Sequence, residues 1–191
     1  SLLNEDTRTD FLKIINSTSG SILELLNDLL SFSAIESGQL VLNLKPGNLH
    51  ILMEERIKIY THLAMEKNIN FDIKYQNLKL ILFDTPRIGQ VIDNLLTNAI
   101  KFSPLGGTIQ IIVESVSEHL RVTITDQGSS IRSEDLDDLF KPFKKLDSGS
   151  TENKKGTGLG LAIAKKMIEL HNGTLTFRPS KSQGASFCFE L

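Results

Sequence analysis

Apolar residues recur at helical spacing through residues 11–35, where Ile15, Ile22 and Leu29 stand seven apart and Leu12, Ser19, Leu26 and Ser33 keep the same interval. That period predicts a long helix with a bundle-like seam, weakened somewhat by Gly20. A lone helix cannot bury such a stripe, so another helix, in the same chain or a second one, is expected to cover it. The run ESGQLVLNLKPGN predicts a helix end at Gly38, a short strand over residues 40–44 and a break at Pro46-Gly47. The module boundary falls there and divides the chain into residues 1–45 and 46–191.

Past that boundary the pattern changes. Asn48 caps a helix expected to reach Lys67. INFDIKY and LKLILF alternate with the period of strands. Asp84 or Thr85 caps the next helix, which carries Pro86 in its first turn and runs to Phe102. TIQIIVESVS and LRVTITD form a strand pair, and Ser133 begins a short helix over SEDLDDLF. Residues 144–157 are polar, glycine-bearing and aperiodic, a mobile loop by composition. A helix over residues 159–170 ends in a glycine cap at Asn172-Gly173. TLTFRP and ASFCFEL supply the last two strands. Strands in mostly antiparallel pairs, grouped with helices, predict an α+β fold, a two-layer sandwich with helices on one sheet face.

Composition narrows the function classes. The chain is 40% apolar and 23% charged with a net charge of −2, enough for a core and too balanced to attract nucleic acid or an acidic membrane. Its one cysteine, Cys188, excludes a disulfide framework and a cysteine-only zinc site and fits a reducing, cytoplasmic compartment. No apolar run has the length of a membrane span and no signal-peptide pattern opens the chain. No membrane contact is therefore expected from this segment. The first residue is Ser1, and the chain is expected to be a piece of a longer protein.

Four stretches carry candidate chemistry. In KKGTGLGL, Gly156, Gly158 and Gly160 can present successive backbone N–H groups at the positive end of a helix dipole, an arrangement suited to phosphate. Glycines also precede helices simply to turn the chain. A P-loop is excluded because no Gly-Lys pair occurs, and a dinucleotide fingerprint because no strand precedes the turn. In RIGQVIDNLLTNAIKFS, Gln90, Asn94, Asn98 and Lys101 share one helix face. Amide oxygens suit magnesium and the lysine suits phosphate, although a solvated face would show the same spacing. In ITDQGSS a strand delivers Asp126 at its end, where the carboxylate can accept from an exocyclic amine or close an Asx-turn. Phe140 and Phe143 in LFKPF precede the polar loop, as lid anchors or as core aromatics.

Taken in order, these motifs resemble the sensor histidine kinases, of the ATPase superfamily that also includes Hsp90, DNA gyrase B and MutL. QVIDNLLTNAIKFSP is similar to the family's N box, DQGSS to its G1 box, FKPF to its F box, GTGLGLAIAKKMIELHNG to its G2 box and GASFCFEL to its last box. LLNDLLSFSAIESGQL resembles the second helix of the dimerisation module and its exit. The resemblance implies a Bergerat-type ATP-binding fold at residues 46–191, with residues 1–45 a dimerisation helix and linker. It implies Mg2+ on Asn98, with Asn94 beside it, Lys101 on phosphate and Phe102 against adenine. Asp126 would accept from the adenine amine and Gly128 would give the base room. Gly156, Thr157, Gly158 and Gly160 would hold the ATP phosphates, with Leu159 against the nucleotide. Lys154 and Lys155, together with Lys144 and Lys145, would reach the γ-phosphate, and Ser186 would complete the adenine pocket.

The family phosphorylates a histidine in a His-Glu/Asp-x-x-x-Pro context. His50, His62, His119 and His171 are followed by Ile, Leu, Leu and Asn, so the acceptor is expected outside this chain. The resemblance further implies a homodimer through the N-terminal helix and a response regulator receiver domain as partner. Ser130 stands where the family usually has glycine. If positive φ were required there, nucleotide affinity would fall about tenfold, and a non-catalytic scaffold becomes the alternative. An ATP-hydrolysing clamp of the Hsp90 or gyrase type is the other alternative. It would need an acidic base where Asn94 stands, and Asp93 lies about 100° round the helix.

Overall fold

The computed structural model describes residues 5–117, 119–145, 156–179 and 184–191. The elements are α1 (Glu5–Glu36), β1 (Lys45–Gly47), α2 (Leu49–Glu66), β2 (Asn70–Gln76), β3 (Ile81–Phe83), α3 (Thr85–Phe102), β4 (Thr108–Val116), β5 (His119–Thr125), a 3-10 turn (Ser133–Asp138), α4 (Gly160–Leu170), β6 (Thr174–Pro179) and β7 (Ala185–Glu190).

Five strands form one sheet in the order β2-β4-β5-β7-β6. The β2–β4 pair is parallel and the other pairs are antiparallel. A parallel pair needs a crossover, and α3 supplies it. Alternation along the strands sends Ile109, Ile111 and Val113 of β4, Leu120, Val122 and Ile124 of β5, and Ala185, Phe187 and Phe189 of β7 into one buried layer. Helices α2, α3 and α4 cover it with Leu52, Met53, Ile88, Ile92, Leu95, Leu96, Ile163 and Met167. This is the expected two-layer α+β sandwich.

Two strands differ from expectation. The strand expected over residues 40–44 is displaced to Lys45–Gly47, where it pairs with β3 in a separate ribbon. Pro46 lies within it, tolerated because a two-stranded ribbon is all edge. The anchor is Asp84, whose Oδ2 accepts from Asn43 N at 2.8 Å and whose Oδ1 accepts from Arg87 N at 3.2 Å, so the carboxylate that caps α3 also draws the linker in. The strand expected over residues 78–83 shortens at its start to Ile81–Phe83, the three residues that pair with β1.

His171, at the C-terminal end of α4, meets the same cap residue. Its Nε2 accepts from Asp84 N at 3.1 Å, and Nδ1 lies 2.7 Å from Met167 O, which fixes the tautomer with the proton on Nδ1. That histidine is structural.

The C-terminus of α3 is held by Lys67, whose Nζ donates to the carbonyls of Ile100, Lys101 and Ser103 at 2.9, 2.8 and 3.3 Å. A cation on the negative end of a helix dipole satisfies carbonyls that the helix itself cannot. Lys67→Met is expected to lower the free energy of unfolding by about 1–2 kcal/mol, read from the urea midpoint. An unchanged midpoint would show that solvent replaces the lysine without loss.

Candidate nucleotide-binding cleft

One face of α3, the end of β5, the start of α4 and the middle of α1 enclose a cleft of about 640 Å³, within the usual range for a small-molecule site. From α3 it receives Asn94, Thr97, Asn98, Lys101 and Phe102, and from the β5 end Asp126. Lys144, Lys145, Gly156, Thr157, Gly158 and Gly160 line the side toward α4.

The α3 stripe forms because Val91, Ile92, Leu95, Leu96, Ala99 and Ile100 face the core, which turns the amides at intervals of four outward. Asn94 Nδ2 donates to Gly160 O at 3.0 Å and ties α3 to α4. Asn98 is half-buried and its amide has no hydrogen bond to a described residue. Gln90, on the same face, is drawn away to Ser31 Oγ of α1 at 3.3 Å. Lys101 Nζ lies 4.8 Å from the centroid of the Phe102 ring, a cation–π contact. Burial, and then the charge of Lys145, hold the Lys101 ammonium below the usual lysine range, while Glu24 of α1 pushes the other way.

Asp126 is 3% exposed. Its Oδ1 accepts from Gly128 N at 2.8 Å and Ala185 N at 3.2 Å, and among the described residues Oδ2 accepts none. Burial raises its pKa, and the two backbone donors partly oppose the rise. Oδ1 thus closes the expected Asx-turn, and Oδ2 is left over beside it.

Three residues expected in the site stand elsewhere. Ser186 faces the opposite side of the sheet, because β7 alternates and its neighbours Ala185 and Phe187 take the cleft side. Its Oγ lies 2.9 Å from Thr125 Oγ1, its register partner. Leu159 is 1% exposed and belongs to the core. Gly128 does not line the cleft. A Cβ there would run into the carbonyl of Phe102, so the glycine lets the β5 turn approach the end of α3. Lys154 and Lys155, with most of the loop expected over residues 144–157, lie outside the described residues.

Ser130 lines the cleft, and its φ is not positive. The strain expected of a serine in place of glycine is absent, and with it the reason for a tenfold loss of affinity. Asp93 turns away from the cleft toward Arg56, 3.4 Å distant, and Tyr60, whose hydroxyl is pushed up to about 12 by burial and then by that carboxylate. It is not placed to serve as a hydrolytic base. Phe140 meets Phe187 edge-on at 6.5 Å, and Phe143 meets Phe32 of α1 at 6.1 Å, so the two aromatics divide between core and α1.

Sequence reasoning did not single out Ala185, Phe187, Glu24 or Asp28. The first two reach the cleft only through the β5–β7 pairing, and the last two only through the seating of α1.

Residues 83–191 match the family of histidine kinase-, DNA gyrase B- and HSP90-like ATPases. The chain belongs to that family, and its relatives include sensor histidine kinases. The sensor histidine kinase GacS of Pseudomonas protegens is 34% identical over 189 residues, covering 95% of this chain and 20% of its own length. The crystal structure of full-length ShkA in complex with AMPPNP superposes with a TM-score of 0.84 at 25% identity, covering all of this chain and 39% of ShkA. The histidine kinase ThkA, solved with the response regulator TrrA, gives a TM-score of 0.79 at 26% identity, over all of this chain and 52% of ThkA. The chain spans about a fifth of the length of the curated relatives it matches. Among the described residues no helix is long and apolar enough to cross a membrane.

Proposed function

We propose that the cleft binds Mg-ATP and presents its γ-phosphoryl group to a histidine carried outside these residues. The observation that carries this reading is the pairing of a buried carboxylate, with Oδ2 open, and a lysine beside a glycine-rich turn in one cleft. Asp126 would accept from the adenine amine while Phe102 lies against the ring. Lys101 and the backbone of Gly156, Thr157 and Gly158 would receive the phosphates. The magnesium ion neutralises phosphate charge when bound. Asn98 would hold it, since its amide is a hard oxygen donor with no competing partner. Among the described residues no three acidic, histidine or cysteine side chains form a metal cluster, which suits an ion held mainly by the nucleotide and water. Among the described residues no histidine lines the cleft. The protein's contribution to phosphoryl transfer is then positioning and charge neutralisation.

The histidine-kinase relatives and the ShkA–AMPPNP complex support the nucleotide, and the ThkA–TrrA complex supports a receiver domain as the phosphate's next recipient. Calorimetric titration with AMPPNP, with and without magnesium, tests the reading. Magnesium-dependent micromolar binding is expected, and no binding at millimolar analogue would overturn it.

Residues 1–45 would be the second helix and exit of the dimerisation module and residues 46–191 the catalytic unit. The seam supports that division. Leu12, Ile15, Ile22, Leu26 and Leu29 of α1 all remain exposed, so the covering helix comes from elsewhere, and a second copy supplies one. The chain is expected to sediment as a dimer at micromolar concentration, and Ile22→Lys to return it to monomer. A strictly monomeric wild type would contradict the division of roles.

A further inference from the structure

Among the described side chains of α1, the only buried one is a carboxylate. Asp28 is 8% exposed, while the leucines and isoleucines around it lie open. Its Oδ2 accepts from Thr157 Oγ1 at 2.7 Å, and Thr157 Oγ1 accepts in turn from Leu159 N at 3.0 Å. Helix α1, the glycine-rich turn and the start of α4 are thereby joined through one hydroxyl. One turn earlier on α1, Glu24 lines the same cleft as Lys101, and its charge acts on that lysine. Ser31 bonded to Gln90 and Phe32 against Phe143 extend the contact by another turn. A carboxylate is a costly group to bury for packing alone, and this pair points at the basic, N–H-rich side of the cleft.

We propose that α1 is an acidic latch on the phosphate end of the cleft: Asp28 on Thr157 and Glu24 beside Lys101 place two carboxylates where a nucleotide's phosphates would be received, so this seating of α1 and nucleotide binding oppose each other. The inference rests on the nucleotide reading of the cleft. Because coupling is reciprocal, bound nucleotide loosens α1 by the same factor by which the latch weakens the nucleotide. A helix whose exposed seam suits a second protomer then reports the state of the cleft to the dimer interface.

The test compares the whole chain with Glu24→Gln, Asp28→Asn and Asp28→Ala, titrated with AMPPNP plus magnesium and, separately, with adenosine. Asp28→Ala removes both charge and acceptor, and Asp28→Asn removes the charge alone. AMPPNP is expected to bind about tenfold more tightly to Asp28→Ala, as when an occluding state populated about nine-tenths of the time is removed. Smaller gains are expected for the other two variants. Adenosine, which has no phosphates, is expected to bind all four proteins alike. Equal AMPPNP affinities, weaker binding by the variants, or matching gains for adenosine would each overturn the latch while leaving the cleft a nucleotide site. Failure of every protein to bind either ligand would overturn the cleft reading and the latch with it.

Discussion

Asp126→Asn is expected to weaken ATP binding by about 1.5–3 kcal/mol, a ten- to hundredfold rise in Kd, the usual loss for a charge-assisted hydrogen bond. The substitution isolates recognition from folding. Asparagine's carbonyl can keep the bonds from Gly128 N and Ala185 N that Oδ1 accepts now, so the turn survives. Its amide then replaces Oδ2 and sets a donor against the adenine amine. Burial raises the Asp126 pKa, so the native state holds that proton more tightly than the unfolded chain. The stability this contributes is present in acid and is lost as pH rises through the folded pKa. A neutral amide escapes that loss. The ligand-free variant should therefore melt above wild type at pH 7, with the gap closing as pH falls below about 4. Isothermal titration and thermal melts at the two pH values check both halves, and an unchanged Kd would remove Asp126 from base recognition.

Gly184→Ala is expected to cost about 2–4 kcal/mol of stability and to weaken nucleotide binding together with it. Gly184 has a φ of +109°, which side chains rarely adopt, and a Cβ there would strike the carbonyl of Asp126. The strain cannot be relieved by a side-chain rotation, because both partners are backbone. Asp126 N donates to Ala185 O at 3.0 Å while Ala185 N donates back to the Asp126 carboxylate. A shift at residue 184 must therefore move the carboxylate. Urea denaturation and the AMPPNP titration check the pair. Loss of stability with intact affinity would show that the carboxylate is positioned from the β5 side alone.

Much of this molecule was legible along the chain. The period of 3.6 and the caps gave α2 and α3 at nearly their observed ends, with Asn48 and Asp84 as N-caps. These signals are local, since a cap and its helix lie within a few residues of each other. The stripe Asn94, Asn98 and Lys101 was legible for the same reason, because one helix turn carries its own geometry. Strand bounds were less secure: β1 slid to residues 45–47 because Asp84, some forty residues away, holds Asn43.

The ordered motifs placed the chain in its family, and helical and strand periods defined its two layers. Only the tertiary structure decided which residues face the cleft. Strand alternation fixes that two faces exist, and the pairing of β7 between β5 and β6 decides which one is covered by helices. So Ser186 left the site, and Ala185 and Phe187 entered it. The serine at position 130 suggested strain, and the backbone shows none, because φ is set by the surrounding turn and not by residue identity. Asp28 stands furthest from anything a pattern could show. It reads as one polar residue beside a helix seam, and it is buried where residue 157, far along the chain, supplies a hydroxyl 2.7 Å away. Such a contact has no local period, and it exists only once the helix is seated.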